Sequence, residues 1–185
     1  MKKLIAFLGE KENGKTTACN IFERLYEQNT EYQIFRVSVK QPIIDEIKRD
    51  LPETLKLLSV FYNLSIDDLF HKKPQFVRSI MQDYGQSKRR EHGSYYWADK
   101  YALALEQIPD NSIILTDDIR FPEELEKVCA FKDNVVYNVI RLDKEQGLDK
   151  HPTERALDDY KSKFAKIEAG EGELEEVITK IFYEA

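Results

Sequence analysis

Two glycines, a lysine and a threonine set the first chemical constraint. Gly9-Glu10-Lys11-Glu12-Asn13-Gly14-Lys15-Thr16 meets every required position of the phosphate-loop spacing G-x-x-x-x-G-K-[ST]. Glycine at both ends lets the backbone curl without a Cβ clash. The loop N–H groups can then converge on phosphate oxygens. Lys15 would reach the β- and γ-phosphates, and the Thr16 hydroxyl would hold Mg²⁺.

A second set of chemical groups lies at Asp117-Asp118-Ile119-Arg120. An acid at the end of an apolar strand is where phosphate-loop proteins hold Mg²⁺ or its water shell, and carboxylates suit that hard cation. Arg120 would face the same cleft. The competing reading makes Asp117 or Asp118 a cap for the helix that Pro122 opens. A third set is Gln82-Asp83-Tyr84-Gly85-Gln86-Ser87-Lys88-Arg89-Arg90 followed by Tyr95-Tyr96-Trp97. Guanidinium groups bind phosphate bidentately, and an aromatic face can stack on a base. The plainer reading is a solvated turn followed by core aromatics. Lys40 stands after a strand, where open α/β sheets place ligand groups, or is a solvated loop lysine.

The elements needed to position these groups are legible in the hydrophobic pattern. Lys3 to Leu8 is a short apolar run that reads as a buried strand leading into the glycine loop. Ala18, Ile21, Phe22 and Leu25 then recur at helical spacing. A second strand is expected over Tyr32–Val39, and Pro42 opens a helix carrying Ile43, Ile44 and Ile47. Residues 51–111 show no strand pattern. They carry helical faces such as Leu55, Leu58 and Tyr62, or Trp97, Tyr101, Leu105 and Ile108, and a capping box at Ser65-Ile66-Asp67-Asp68. That length far exceeds a crossover, so it reads as a helical substrate-binding insertion on the ligand side of the sheet, suited to clamp a substrate.

Ser112–Thr116 is the next buried strand, followed by a helix with Leu125, Val128 and Cys129 on one face. Val135–Ile140 and Phe164–Ile167 read as further strands, and Leu174, Val177, Ile178, Ile181 and Phe182 as a closing helix. Between them, residues 141–160 read as a lid-like segment, with Arg141 and Arg155 able to close over phosphates. His151 has no His or Cys partner at metal spacing, so it is expected to orient a neighbour. Strands alternating with helices imply a parallel sheet covered on both faces. The expected fold is three-layer α/β/α, a phosphate-loop kinase fold with five parallel strands in one domain, 1–185.

Composition narrows the partners. A net charge of −6 argues against a general nucleic-acid or anionic-membrane binder. No stretch is long enough to span a bilayer. Cys19 and Cys129, the only two cysteines, read as buried small apolar residues, as a reducing cytoplasm allows. A GTPase would carry an Asn/Thr-Lys-x-Asp base-reading motif and an Asp-x-x-Gly switch, and the chain has neither. A small-molecule kinase fits better, because its catalysis is mostly positioning and charge neutralisation.

Four segments, in order, resemble the deoxynucleoside monophosphate kinases of tailed bacteriophages: Gly9 to Thr17; Gln82, Gly85, Arg89 and Arg90 with Tyr96-Trp97; Asp118-Ile119-Arg120-Phe121-Pro122-Glu123-Glu124; and His151-Pro152-Thr153-Glu154 with Asp158-Asp159. The family often has Asn-Glu after Phe-Pro and Ser at the Thr153 position. The resemblance implies transfer of the ATP γ-phosphate to a deoxynucleoside 5′-monophosphate, with Mg²⁺. It also implies a phage origin, action in the host cytoplasm, and a homodimer. On that footing Gly9, Asn13, Gly14, Lys15, Thr16 and Thr17 bind ATP, with Thr16 and Asp118 on Mg²⁺. Lys15, Asp118 and Arg120 are catalytic. Lys40, Gln82, Arg89, Arg90, Tyr96, Trp97, Arg120 and Glu154 bind the acceptor, and Arg141, His151 and Arg155 belong to the lid. The alternatives are a kinase of another small phosphorylated metabolite and a non-catalytic ATP-binding module.

Overall fold

The computed structural model describes residues 2–145 and 155–184. The chain divides into two compact units, residues 1–38 with 101–185, and residues 39–100. The first unit holds a five-stranded sheet in the order β2-β3-β1-β4-β5, parallel at every pairing. Its strands are β1 (Lys2–Leu8), β2 (Gln33–Arg36), β3 (Ser112–Thr116), β4 (Asn134–Arg141) and β5 (Ala165–Ala169).

Leu4 to Leu8 of β1 and all five residues of β3 are buried. A strand buried at both parities must be covered on both faces. One face carries Ile5, Phe7, Ile113, Leu115, Val139 and Ile167. They pack with Ala18, Phe22 and Leu25 of α1 (Lys15–Asn29) and Ile178 of α9 (Leu174–Glu184). The alternate residues Leu4, Ala6, Leu8, Ile114 and Val136 are equally buried. On that side lie α7 (Pro122–Ala130), with Leu125 and Val128 inward, and the end of α6 (Tyr96–Gln107), where Leu105 O accepts a hydrogen bond from Lys2 Nζ at 3.1 Å. The short α8 (Asp158–Lys161) precedes β5.

The sheet order decides where a ligand goes. The connection leaving β1 runs to β2 on one side, and the connection leaving its neighbour β4 runs to β5 on the other. A crevice opens beyond the carboxyl ends at such a switch point, and the glycine loop occupies it.

The second unit is helical, as the absence of a strand pattern leads one to expect. It contains α2 (Gln41–Asp50), α3 (Pro52–Tyr62), α4 (Ile66–Lys72), α5 (Gln75–His92) and the start of α6. Pro42 and Pro52 each open a helix, and Ser65 caps α4 by accepting from Asp68 N at 3.0 Å. Ile47, Leu55, Leu69, Phe70 and Val77 form its core. Its limits, 39–100, enclose α2 and stop ahead of the 51–111 boundaries read from the sequence.

Several expectations shift. The second strand is shorter than Tyr32–Val39, although Val37 N still donates to Leu115 O at 3.0 Å. The last strand sits one to two residues later than Phe164–Ile167. Cys19 is buried, and that burial pushes its thiol up to about 12. Cys129 is exposed instead, because it falls one position past the inward Val128 on α7. Among the described residues, no helix is long and apolar enough to cross a membrane.

Candidate functional site

The loop is shaped by contacts to β4. A Cβ on Gly9, whose φ is +141°, would stand 2.5 Å from Val139 O. Asn13, 4% exposed, donates from its amide to the same carbonyl at 3.1 Å. Asn13 therefore holds the loop against the sheet through Nδ2. Glu12 (φ 66°) and Gly14 (φ 90°) are left-handed, and such alternation is what turns successive N–H groups into an anion-binding concavity. Gly14 is also the N-cap of α1 and no side chain caps that helix. The first turn, with Thr16 and Thr17 exposed, presents amides and the positive end of the dipole. Lys15 Nζ donates to Gly9 O at 2.8 Å and Glu10 O at 2.7 Å, so the ammonium lies back over the loop.

Beside the loop stands the end of β3. The pairing Ala6↔Thr116 sets Asp117 and Asp118 alongside the last residues of β1, just before the loop begins. Gly9, Lys15, Asp117, Asp118, Arg120 and Lys161 consequently line one narrow cleft. Asp118 accepts hydrogen bonds from the hydroxyls of Ser38, through Oδ2, and Thr116, through Oδ1. The Ser38 hydroxyl holds the carboxylate, and the Thr116 hydroxyl, 3.5 Å away, adds a weak second contact. The capping reading of Asp117 and Asp118 does not hold. Glu124, 3% exposed, does that work, accepting from Arg120 N at 2.8 Å and Phe121 N at 3.1 Å. Thr16 and Asp118 carry hydroxyl and carboxylate oxygens, the kind of ligand Mg²⁺ takes when it keeps phosphates and waters as its others.

The other side of the loop opens into a larger cavity of 540 Å³. Asn13 and Gly14 of the loop with Thr17 and Arg24 of α1 form one wall, and Arg141 and the turn Gly170-Glu171-Gly172 line the rest. That volume lies within the range of small-molecule sites. Arg141 pairs with Asp143 at 3.0 Å and Glu171 at 3.4 Å.

The remaining predicted residues fall as follows. Arg155 is 62% exposed and pairs with Asp158 at 3.1 Å. His151 and Glu154 lie outside the described residues. In the helical unit, Lys40 occupies the N-cap position of α2. Gln82 and Arg90 are exposed on α5, with Arg90 donating to Gln86 Oε1 at 3.3 Å. Arg89 donates to Ser94 O at 2.9 Å. Tyr96 stacks on His92 with centroids 4.7 Å apart and donates to Glu46 Oε1 at 2.8 Å. Trp97 is a correction. It is 1% exposed and its indole N–H is committed to Gly85 O at 2.9 Å, so it packs as core and has no face for a base.

Sequence reasoning missed Ser38, Lys144 and Lys161. Ser38 orients Asp118. Lys144 donates to Lys11 O and so ties the exit of β4 to the loop. No motif marks any of them, though Gly170-Glu171-Gly172 after the last strand was a readable signal for the cavity's far wall.

No family model and no curated protein matches the chain. Solved structures do. Shikimate kinase from Aquifex aeolicus vf5 aligns over 98% of this chain and 94% of its own, with 15% identity and a TM-score of 0.44. The RNA-dependent RNA polymerase of BmCPV at quiescent state aligns over 96% of this chain and 42% of its own, with 11% identity and a TM-score of 0.43. At those scores the functional reading rests on the chain's own loop, sheet and cleft.

Proposed function

We propose that the chain is an ATP-dependent kinase that phosphorylates a deoxynucleoside 5′-monophosphate to the diphosphate. The observation that carries this reading is the single cleft joining Gly9 and Lys15 to Asp117, Asp118 and Arg120. The loop amides would take the β- and γ-phosphates. The 540 Å³ cavity on the loop's other side would take the nucleoside, beside Arg141. Lys15 would exchange its carbonyl partners Gly9 and Glu10 for phosphate oxygens. Mg²⁺ held by Thr16 and Asp118 would offset phosphate charge, and Arg120 would stabilise the group in transfer. The acceptor phosphate is already an anion at neutral pH, so no strong general base is required.

The helical unit supplies the candidate acceptor groups Lys40, Gln82, Arg89, Arg90 and Tyr96. With Trp97 in the core, exposed Tyr95 and the stacked pair Tyr96–His92 remain as aromatic candidates beside the arginines. That loss also favours a second reading, in which the acceptor is another small phosphorylated metabolite with no base to stack.

One experiment addresses both. ATP consumption is measured with Mg²⁺ and a panel of acceptors: all nucleoside monophosphates in ribo and deoxy forms, then phosphorylated sugars. The expected result is turnover dependent on a deoxynucleoside monophosphate, reduced roughly a hundredfold or more by Lys15→Ala. Turnover with sugar phosphates alone selects the second reading. ATP binding with no acceptor-dependent turnover points to a binding module.

A further inference from the structure

We propose that Lys161 is a second lysine of the phosphate site, meeting the terminal phosphate of a bound nucleoside triphosphate, and that Asp158 positions it. The inference rests on the nucleotide-binding reading above. Lys161 was not expected in the site, and Asp158 was read only as part of the lid-like segment. The lid cations read from the sequence were Arg141 and Arg155. Arg141 lines the larger cavity and Arg155 is turned to solvent.

Lys161 ends α8, and its side chain is only 13% exposed. Lysine is seldom that covered unless it is paired. Its Nζ lies 2.8 Å from Asp158 Oδ1, one turn earlier on the same helix. It lines the same cleft as Gly9, Lys15, Asp117, Asp118 and Arg120. The carboxylate partner fixes the direction of a flexible stem. Asp158 is shaped in return: burial opposes its ionisation, but hydrogen bonds from Lys161 and Arg155 outweigh that and hold its carboxyl below the usual range.

Among the described residues, the cleft has three cations from three directions. Lys15 comes from the loop, Arg120 from the end of β3, and Lys161 from α8. A phosphoryl group in transfer spreads its charge over three equatorial oxygens. A phosphate seated next to both the loop and Asp118 is the terminal one. Lys161 would therefore contact it and leave the inner phosphates to the loop amides.

The test is calorimetric binding of ATP and of ADP, each with Mg²⁺, to the wild type, Lys161→Met, Lys161→Arg and Asp158→Asn. Lys161→Met should weaken ATP at least tenfold while ADP changes less than twofold. Lys161→Arg should restore most of the difference, and Asp158→Asn should show a smaller loss of the same sign. Should Lys161→Met not fold, Asp158→Asn against Lys161→Arg carries the same comparison. An unchanged ATP-to-ADP ratio in these variants overturns the role of Lys161 and leaves the loop reading standing. A wild-type protein that binds neither nucleotide overturns both.

Discussion

Gly9 shows how closely one residue is specified here. A methyl group at this position would meet Val139 O at 2.5 Å, and the φ of +141° is strained for any L side chain. Backbone strain of this kind costs about 1–3 kcal/mol, and the carbonyl cannot retreat without disturbing β4. Gly9→Ala should therefore lower stability by about 2–4 kcal/mol in urea unfolding and weaken ATP binding more than tenfold. Wild-type ATP affinity in that variant would show that the approach of loop to strand is not needed. Residue types were readable where a spacing rule exists, as at Gly9, Gly14, Lys15 and Asp118. Ser38 and Lys161 had no such rule. They reach the site only because β2 lies beside β3 and α8 returns to the loop, and neither fact is local. For Trp97, the every-fourth-residue run through Tyr101 and Leu105 already described a core face, and the structure agrees with that plainer pattern.

Among elements, the helical unit is tied together by one buried carboxylate. Glu46 of α2 is 5% exposed. It accepts from Lys100 at 2.9 Å and Tyr96 at 2.8 Å on α6, and from Tyr84 at 3.3 Å on α5. Burial resists its ionisation, but the hydrogen bonds from Lys100, Tyr96 and Tyr84 win and hold its carboxyl below the usual range. The Glu46 hydrogen bond raises Lys100. The signs follow from linkage. A carboxyl lowered on folding adds stability above its unfolded value, and that stability is lost as pH falls through the folded value. A raised lysine adds stability at neutral pH that is lost as pH rises through its folded value. Lys100→Met leaves buried Glu46 with Tyr96, with a Tyr84 hydroxyl it shares with Asp50, and with the Arg49 guanidinium at 3.8 Å. Lys100 is a third exposed, so screening reduces the loss to about 1–2 kcal/mol at pH 7. Glu46→Gln should remove part of the fall in stability below pH 4.5. Urea titrations between pH 3.5 and 7 decide it, and an unaltered acid limb in Glu46→Gln would exclude this carboxylate as its source. The helices themselves were legible from proline starts and apolar periodicity. The network was not, since Glu46, Tyr84 and the Tyr96–Lys100 pair come from three separate stretches of the sequence, and no spacing rule links them. β2 and β5 were misplaced by a residue or more because edge strands bury one side only, as the alternation of β5 shows. β1 and β3, buried at both parities, had no such ambiguity.

At the scale of the molecule, the two units should answer to different ligands. Every residue of the loop, the cleft and the larger cavity belongs to residues 1–38 and 101–185, and the proposed acceptor groups Lys40, Arg89, Arg90 and Tyr96 belong to residues 39–100. A ligand that binds only the native state stabilises by RT ln(1 + [L]/Kd), about 2.7 kcal/mol at a hundredfold excess over Kd. For a chain of this length that raises the melting temperature by roughly 5–10 °C. ATP with Mg²⁺ should produce that shift, and Lys15→Ala should abolish most of it. Amide exchange adds location. ATP should protect the loop, the start of α1 and the turn at 170–172, which line the larger cavity. The accepted monophosphate should add protection to α5 and the start of α6. Protection of 39–100 by ATP alone, with no further change on adding any monophosphate, would mean that the helical unit does not receive the acceptor. The division of labour between loop and insertion would then have to be redrawn.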